Sequence, residues 1–214
     1  MARLVAPLLI LGITAATLAA QPKLEITSPK DGEIVFSGKP LIVKVLASPP
    51  LAFESVGLRV ENPLPHTPWL IQPPYQFTIR IAPGIASRRY MLTASGVFLG
   101  GGGVDSETIH IKVERPDEPQ QLEVRPSILS FDYVGQDGRL SVYGKFSDGS
   151  KVDLTYSSKT TYSSNAPAVA TVDDDSTVTA VGVGVATIAI ENVGKAIVLP
   201  VTVRNQRRPA GPQR

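Results

Sequence analysis

The 214-residue sequence contains no cysteine, only two histidines and a single tryptophan. Without thiols there is no disulfide framework, no thiolate metal site and no lipid attachment through cysteine, although an exported chain would meet an oxidising compartment that permits disulfides. Stability must then come from apolar burial. A domain of about 90 residues buries only some 60–65% of its unfolded surface, so its aliphatic residues have to be used efficiently. A serine hydrolase needs a positioned base and an oxyanion hole, and no Gly-x-Ser-x-Gly string occurs. Beyond the amino-terminal leader, no window has the period of an amphipathic helix.

Positive charge is absent from the middle as a surplus. Of 21 Lys and Arg residues, five (Arg3, Arg204, Arg207, Arg208 and Arg214) sit in the leader and tail, which carry no acid. The 16 basic residues left between 21 and 203 face 19 acidic ones. A mildly acidic body excludes a nucleic-acid groove, which needs basic residues clustered on a folded face. The leader itself has a cationic start at Arg3, an uncharged body from Leu4 and small residues up to Ala20. This pattern predicts a cleavable signal peptide over residues 1–20, cut near Ala19 or Ala20. Its apolar body of about 17 residues, with Pro7 inside, is short of the roughly 20 that a spanning helix needs. No second spanning segment and no Leu-Pro-x-Thr-Gly sorting signal follow, so the expectation is an exported chain: periplasmic, cell-surface or secreted, with no membrane span after signal removal.

What the rest has in abundance is alternation at period two. Leu41, Val43 and Val45 alternate with Ile42, Lys44 and Leu46; Tyr75, Phe77, Ile79 and Ile81 with Gln76, Thr78 and Arg80; Ile109, Ile111 and Val113 with Thr108, His110, Lys112 and Glu114. Such runs predict strands with one face buried, punctuated by turns at Pro29–Gly32, Pro83-Gly84 and Gly100–Gly103. Residues 115–120, Arg-Pro-Asp-Glu-Pro-Gln, break the pattern with two prolines, which predicts a short semi-rigid linker holding two modules apart. The alternation resumes with Leu140, Val142 and Phe146, a two-residue hairpin turn at Asp148-Gly149, then Val152 and Leu154. Ala170 with Val172, Val178 with Ala180, Ala186 with Ile188 and Ile190, and Ile197 to Val203 complete the set. The fold class is therefore all-β: two tandem sandwiches over 21–114 and 121–203, then a disordered basic tail over 204–214.

The second module resembles the bacterial immunoglobulin-like group 2 family, found as tandem repeats in adhesins of the intimin and invasin kind and in other surface proteins. The matching residues are Ser147-Asp-Gly-Ser150, Val152-Asp-Leu-Thr155, Tyr-Ser-Ser-Asn-Ala-Pro-Ala-Val-Ala-Thr-Val over 162–172, Val178-Thr-Ala180, Gly184 and Ala186-Thr-Ile188. It departs from the family at Tyr162, where Trp is usual, and at Ser176, where Gly is usual. The first departure predicts a buried ring whose hydroxyl needs a partner. The second predicts a turn that does not require positive φ at 176. The first module looks like another bacterial immunoglobulin-like type through Ser28-Pro-Lys-Asp-Gly32, Pro74-Tyr-Gln-Phe77 and Tyr90-Met-Leu-Thr-Ala94, with Arg89 where that family has Gly.

Residues that could carry chemistry have structural explanations beside them. His110 has outward strand parity and His66 lies in a proline-rich loop, so neither is expected to be catalytic. Gly100–Gly103 leads into a strand and not into the helix that a phosphate cradle requires. Asp173-Asp174-Asp175 offers oxygens, but calcium takes 6–8, generally from several loops, and adjacent side chains diverge; turn chemistry is the expectation. Trp69 reads as a core plug ahead of a strand, or else as an exposed platform beside Tyr75 for a sugar or an apolar patch. Arg207 and Arg208 in the tail offer charge to an anionic surface. The candidate contact residues are thus Trp69, Tyr75, Arg207 and Arg208, with no cofactor, no metal and no catalytic residue. The resemblance implies a non-enzymatic protein for cell-surface adhesion, envelope structure or binding of a protein or envelope polysaccharide. Two other readings stand beside it. A two-domain periplasmic chaperone would need a basic anchor such as Arg115 or Arg125 in the inter-domain cleft; a carbohydrate-binding module would need an aromatic platform.

Overall fold

The computed structural model describes residues 21–205. The expected signal peptide and the tail residues Arg207 and Arg208 lie outside them. All regular structure of the described residues is strand. The first body contains β1 (Lys23–Ser28), β2 (Ile34–Phe36), β3 (Pro40–Ser48), β4 (Phe53–Val60), β5 (Tyr75–Arg80), β6 (Arg89–Phe98), β7 (Gly103–Asp105) and β8 (Ile109–Glu114). One sheet runs in the order β1-β3-β5; the other runs β2-β8-β6-β4, with β7 also paired to β6. β2 lies parallel to β8, while the hairpin-connected neighbours are antiparallel. The inward residues Val43, Ile79, Leu92, Ile111 and Val113 are completely buried between the sheets. Tyr90 joins them, and its phenol donates to the Ala86 carbonyl at 3.0 Å. This is the corner bond that closes many sandwiches of this architecture.

The expected alternation holds in β3 and β5. It fails in β4 and β6, where consecutive residues are buried. On β6 the outward Thr93 is met by Thr108, 2.8 Å between hydroxyls; on β4 the cause is the loop between β4 and β5, which folds back over the outer sheet face. Leu70 and Val56 exchange backbone hydrogen bonds of 2.8 Å, and the Trp69 indole lies on Gly57. A Cβ built on Gly57 would come 2.6 Å from two indole ring carbons and 2.9 Å from a third, so only glycine admits the ring there.

The second body contains β9 (Gln121–Arg125), β10 (Leu129–Phe131), β11 (Asp137–Arg139), β12 (Ser141–Lys145), β13 (Lys151–Asp153), β14 (Thr160–Ser164), β15 (Ala170–Val172), β16 (Thr177–Ala180), β17 (Gly184–Asn192) and β18 (Lys195–Val203). One layer is β10-β18-β17-β14; facing it are the ladders β13-β12-β9 and β11-β16-β15. Only Leu140 separates β11 from β12, so these two ladders continue into one another. Val142, Val152, Ala170, Val178, Ile188, Ile190 and Leu199 form a fully buried centre. The Tyr162 hydroxyl finds the partner it needs, donating to the Thr155 carbonyl at 2.8 Å. Burial pushes its ionisation well above the ordinary tyrosine value.

Two turns differ from the sequence expectation. The β12–β13 connection is not a two-residue turn. Gly149 N–H donates to the Phe146 carbonyl and Phe146 N–H to the Ser150 carbonyl, so three residues form the loop, with Gly149 at φ 80°. That is a type I turn followed by a left-handed residue, the common three-residue hairpin. Ser176 does adopt positive φ, at 61°. The family's glycine is therefore conformationally meaningful, and serine tolerates the position because its buried hydroxyl donates to the Leu140 carbonyl at 3.0 Å. A left-handed non-glycine residue costs about 1–2 kcal/mol, and the hydroxyl bond returns about 1 kcal/mol. Ser176→Ala keeps the strain and loses the bond, whereas Ser176→Gly loses both. Thermal unfolding is expected to place the alanine variant about 1–2 kcal/mol below the glycine variant, which itself stays close to wild type; equal stability of the two variants contradicts the left-handed assignment.

Candidate functional site at the domain joint

Successive side chains of a strand point to opposite faces, and the last residue of β8 and the one after it are Glu114 and Arg115. Both are buried, at 1% and 6% exposure. The sequence pattern placed Glu114 on the outward parity of its strand and Arg115 in a spacer. The structure corrects both, because the second body covers the end of β8. Glu114 reaches to one side: its carboxylate accepts from the Ser157 hydroxyl at 2.7 Å, from Ser158 N–H at 2.7 Å and from the Ser158 hydroxyl at 3.0 Å. Arg115 reaches to the other. Its Nε and Nη2 donate to the two Asp117 oxygens at 2.7 Å each, Nη2 donates also to Asp148 at 3.2 Å, and Nη1 donates to the Pro83 carbonyl at 3.0 Å. The guanidinium lies over the Phe146 ring, 4.2 Å from its centroid, a contact that favours a desolvated cation.

The backbone joins in. Ser87 N–H of the first body donates to the Asp153 carbonyl of the second at 2.8 Å, and Lys159 Nζ donates to the Arg115 carbonyl at 3.1 Å. Pro119 is buried against Gly144, where an added Cβ would come 3.0 Å from the proline. Residues 115–120 thus anchor two bodies to each other rather than holding them apart. The signal for this was present as adjacent opposite charges ending an apolar strand, but sequence alone does not show what will cover them.

Beside Glu114 the joint opens into a cleft of about 850 Å³. Arg89 and Lys112, cross-strand partners on β6 and β8, line its first-body side. Ser158, Thr160, Thr161 and Tyr156 line the other side, with Asp174 and Asp175 at the far rim. Arg88 is tied to Glu61 at 2.7 Å and stacks on Tyr90. Histidine does not line the cleft: His66 is exposed on its loop, and His110 Nδ1 faces Asp31 at 3.5 Å. Among the described residues no three His, Asp or Glu side chains converge as metal ligands. Asp173 works as a turn residue, its carboxylate accepting from Thr177 N–H at 2.8 Å. No helix of the described residues is long and apolar enough to cross a membrane.

Of the sequence candidates, Tyr75 is buried in the first core and presents nothing to a partner. Trp69 is not the core plug its position suggested: it is 51% exposed. Arg125 is exposed and paired with Glu123 at 2.8 Å. Arg115 does occupy the joint, but Asp117 and Asp148 neutralise it.

Those carboxylates titrate low. The Arg115 guanidinium holds Asp117 below its usual range. Asp148 is lowered to about 2, first by the Ser150 hydroxyl, then by Ser150 N–H, with Arg115 contributing. A carboxylate depressed in the folded state releases its proton more readily there than in the unfolded chain. Its contribution is therefore present above the unfolded value of 3.8 and is lost as pH falls towards about 2. The melting temperature of residues 21–214 is expected to drop across that window, with a shallower drop in Asp148→Asn; an unchanged slope contradicts the assignment. Glu114→Ala strips three donors of their acceptor at a cost of about 1–3 kcal/mol. Calorimetry is expected to resolve its two bodies as separate transitions where wild type unfolds in a more merged one.

Residues 120–196 match the family model of the bacterial Ig-like domain (group 2). The second body is such a domain, and the first is a separate β-sandwich of eight strands. No curated protein matches the chain. Among solved structures, the fibronectin(III)-like modules of Clostridium thermocellum CbhA are similar at 13% identity, with 88% of this chain and 99% of theirs covered and a TM-score of 0.38. Extracellular domains 3–5 of Drosophila OTK are similar at 14% identity, with 91% and 72% covered and a TM-score of 0.43. Domains 4 and 5 of the S-layer protein SbsC are similar at 16% identity, with 86% and 98% covered and a TM-score of 0.36.

Proposed function

We propose that this chain is an exported, non-enzymatic contact protein of the cell surface or envelope, acting in adhesion or envelope structure as two sandwiches fixed in one orientation. The observation that carries this reading is the charged joint. Glu114 and Arg115 grip loops of the second body from opposite sides of one strand end, so the loops and sheet edges of both bodies are presented in a constant relation. Rigid presentation lowers the entropy cost of engaging two points at once. The leader at residues 1–20 supports export.

A second reading, an assembly factor that clasps a subunit's strand, draws on Arg89 and Lys112 in the cleft. It loses its most natural anchor, Arg115, to Asp117 and Asp148. Stoichiometric copurification of a strand donor distinguishes it from the first reading.

The absence of cysteine makes the rigid tandem directly measurable. Spin labels on cysteines placed at the exposed Gln76 and Glu191 are expected to report one narrow distance distribution, which broadens in Arg115→Ala. A broad distribution in the parent protein overturns the fixed-orientation mechanism. Turnover of any substrate abolished by replacing His66 or His110 overturns the non-enzymatic assignment.

A further inference from the structure

On the outer face of the first body, one cross-strand row reads Gly57 on β4, Ser95 on β6 and Asp105 on β7. The Trp69 indole lies flat over Gly57, with three of its ring carbons at nearly equal distance from the missing Cβ. One face of the ring is thereby pinned, and its 51% exposure leaves the other face open. One outward position along β4, Arg59 pairs with Asp105, and both side chains are largely solvent-accessible, at 62% and 49%. Between indole and β7 runs a groove of about 330 Å³, at the lower end of the range for ligand clefts, about 300–1,000 Å³. Ser95 forms part of its floor, 9% exposed, with a hydroxyl that has no hydrogen-bond partner among the described residues.

We propose that this groove binds a neutral pyranose saccharide, with the open face of Trp69 stacked on the C–H face of one sugar ring and Arg59 and Asp105 hydrogen-bonded to its hydroxyls. The chemistry selects this class. A sugar ring has an apolar face edged by groups that both donate and accept, and the groove offers a fixed aromatic plane edged by one five-donor cation and one carboxylate acceptor. An apolar protein patch would stack on the indole but strip water from the exposed Arg59–Asp105 pair without offering it hydrogen-bond partners, at a cost. The Arg59 charge is matched by Asp105, so an acidic glycan gains no net attraction.

The inference rests on the contact reading above and supplies its ligand class. Trp69 is the sole tryptophan, which makes its fluorescence a reporter of this groove alone. Residues 21–214 are titrated with cellohexaose, chitohexaose, mannohexaose and xylohexaose. At least one is expected to give a saturable blue shift, with affinity falling tenfold or more in Asp105→Asn and in Arg59→Gln. Calorimetric titration of Trp69→Ala is expected to show no binding. Arg115→Ala, which loosens the joint, is expected to bind the same hexasaccharide with unchanged affinity, so failure of the rigid-tandem mechanism and failure of this site are separately visible. No saturable shift with any of the four up to millimolar concentration overturns the proposal. So does a shift that Asp105→Asn and Arg59→Gln leave unchanged, or a response only to a polyuronate or to a peptide.

Discussion

The molecule depends on the burial of two opposite charges at one strand end. A buried ion is costly unless hydrogen bonds and counter-charges replace its water. Glu114 obtains three donors and Arg115 two carboxylates, a carbonyl and an aromatic face. All three donors to Glu114 belong to the second body, so that charge is unsatisfied unless the body is docked; Arg115 keeps Asp117 and the Pro83 carbonyl on its own side and gains Asp148 and the Phe146 ring from the second body. Strand geometry turns adjacency into opposition: residues next to each other in sequence reach loops on opposite sides of the joint. The cleft, the constant relation of the binding loops and the seating of Pro119 against Gly144 all follow from that arrangement.

A second, smaller device gives the first body a surface with character. The β4–β5 loop lies over its own sheet, held by the Val56–Leu70 backbone pair and admitted by the missing side chain at Gly57. This converts one stripe of an ordinary outward sheet face into a walled groove. It also explains why β4 loses its alternation at Gly57; on β6 the outward Thr93 is met by Thr108, 2.8 Å between hydroxyls. The two devices are far apart in sequence and rest on different physics, one on compensated charge and the other on close packing against a glycine.

Residue types marked the turns well where one residue dictates the backbone, and less well where side chains compete. Gly149 was recognised as a turn residue, but the loop length depended on where the Phe146–Ser150 pair closed. At Ser176 the side-chain hydroxyl made a left-handed backbone acceptable, so the residue type pointed away from the true conformation. Tyr162 was legible in full, since a buried ring with a phenol obliges the fold to supply an acceptor.

Period-two burial is local and repeats along each strand, so the all-β class, the two cores and their inward residues, Tyr75 among them, were legible in the chain alone. The group 2 character of the second body was legible for the same reason, through turn residues at fixed offsets. That Glu114 and Arg115 are buried and that Trp69 lies on the surface emerged only in three dimensions. Those outcomes depend on what covers a residue, and the covering segments lie tens of residues away (Ser157 over Glu114) or fold back as a loop (Trp69 over Gly57). Alternation says which way a side chain points; it does not say what will be waiting there.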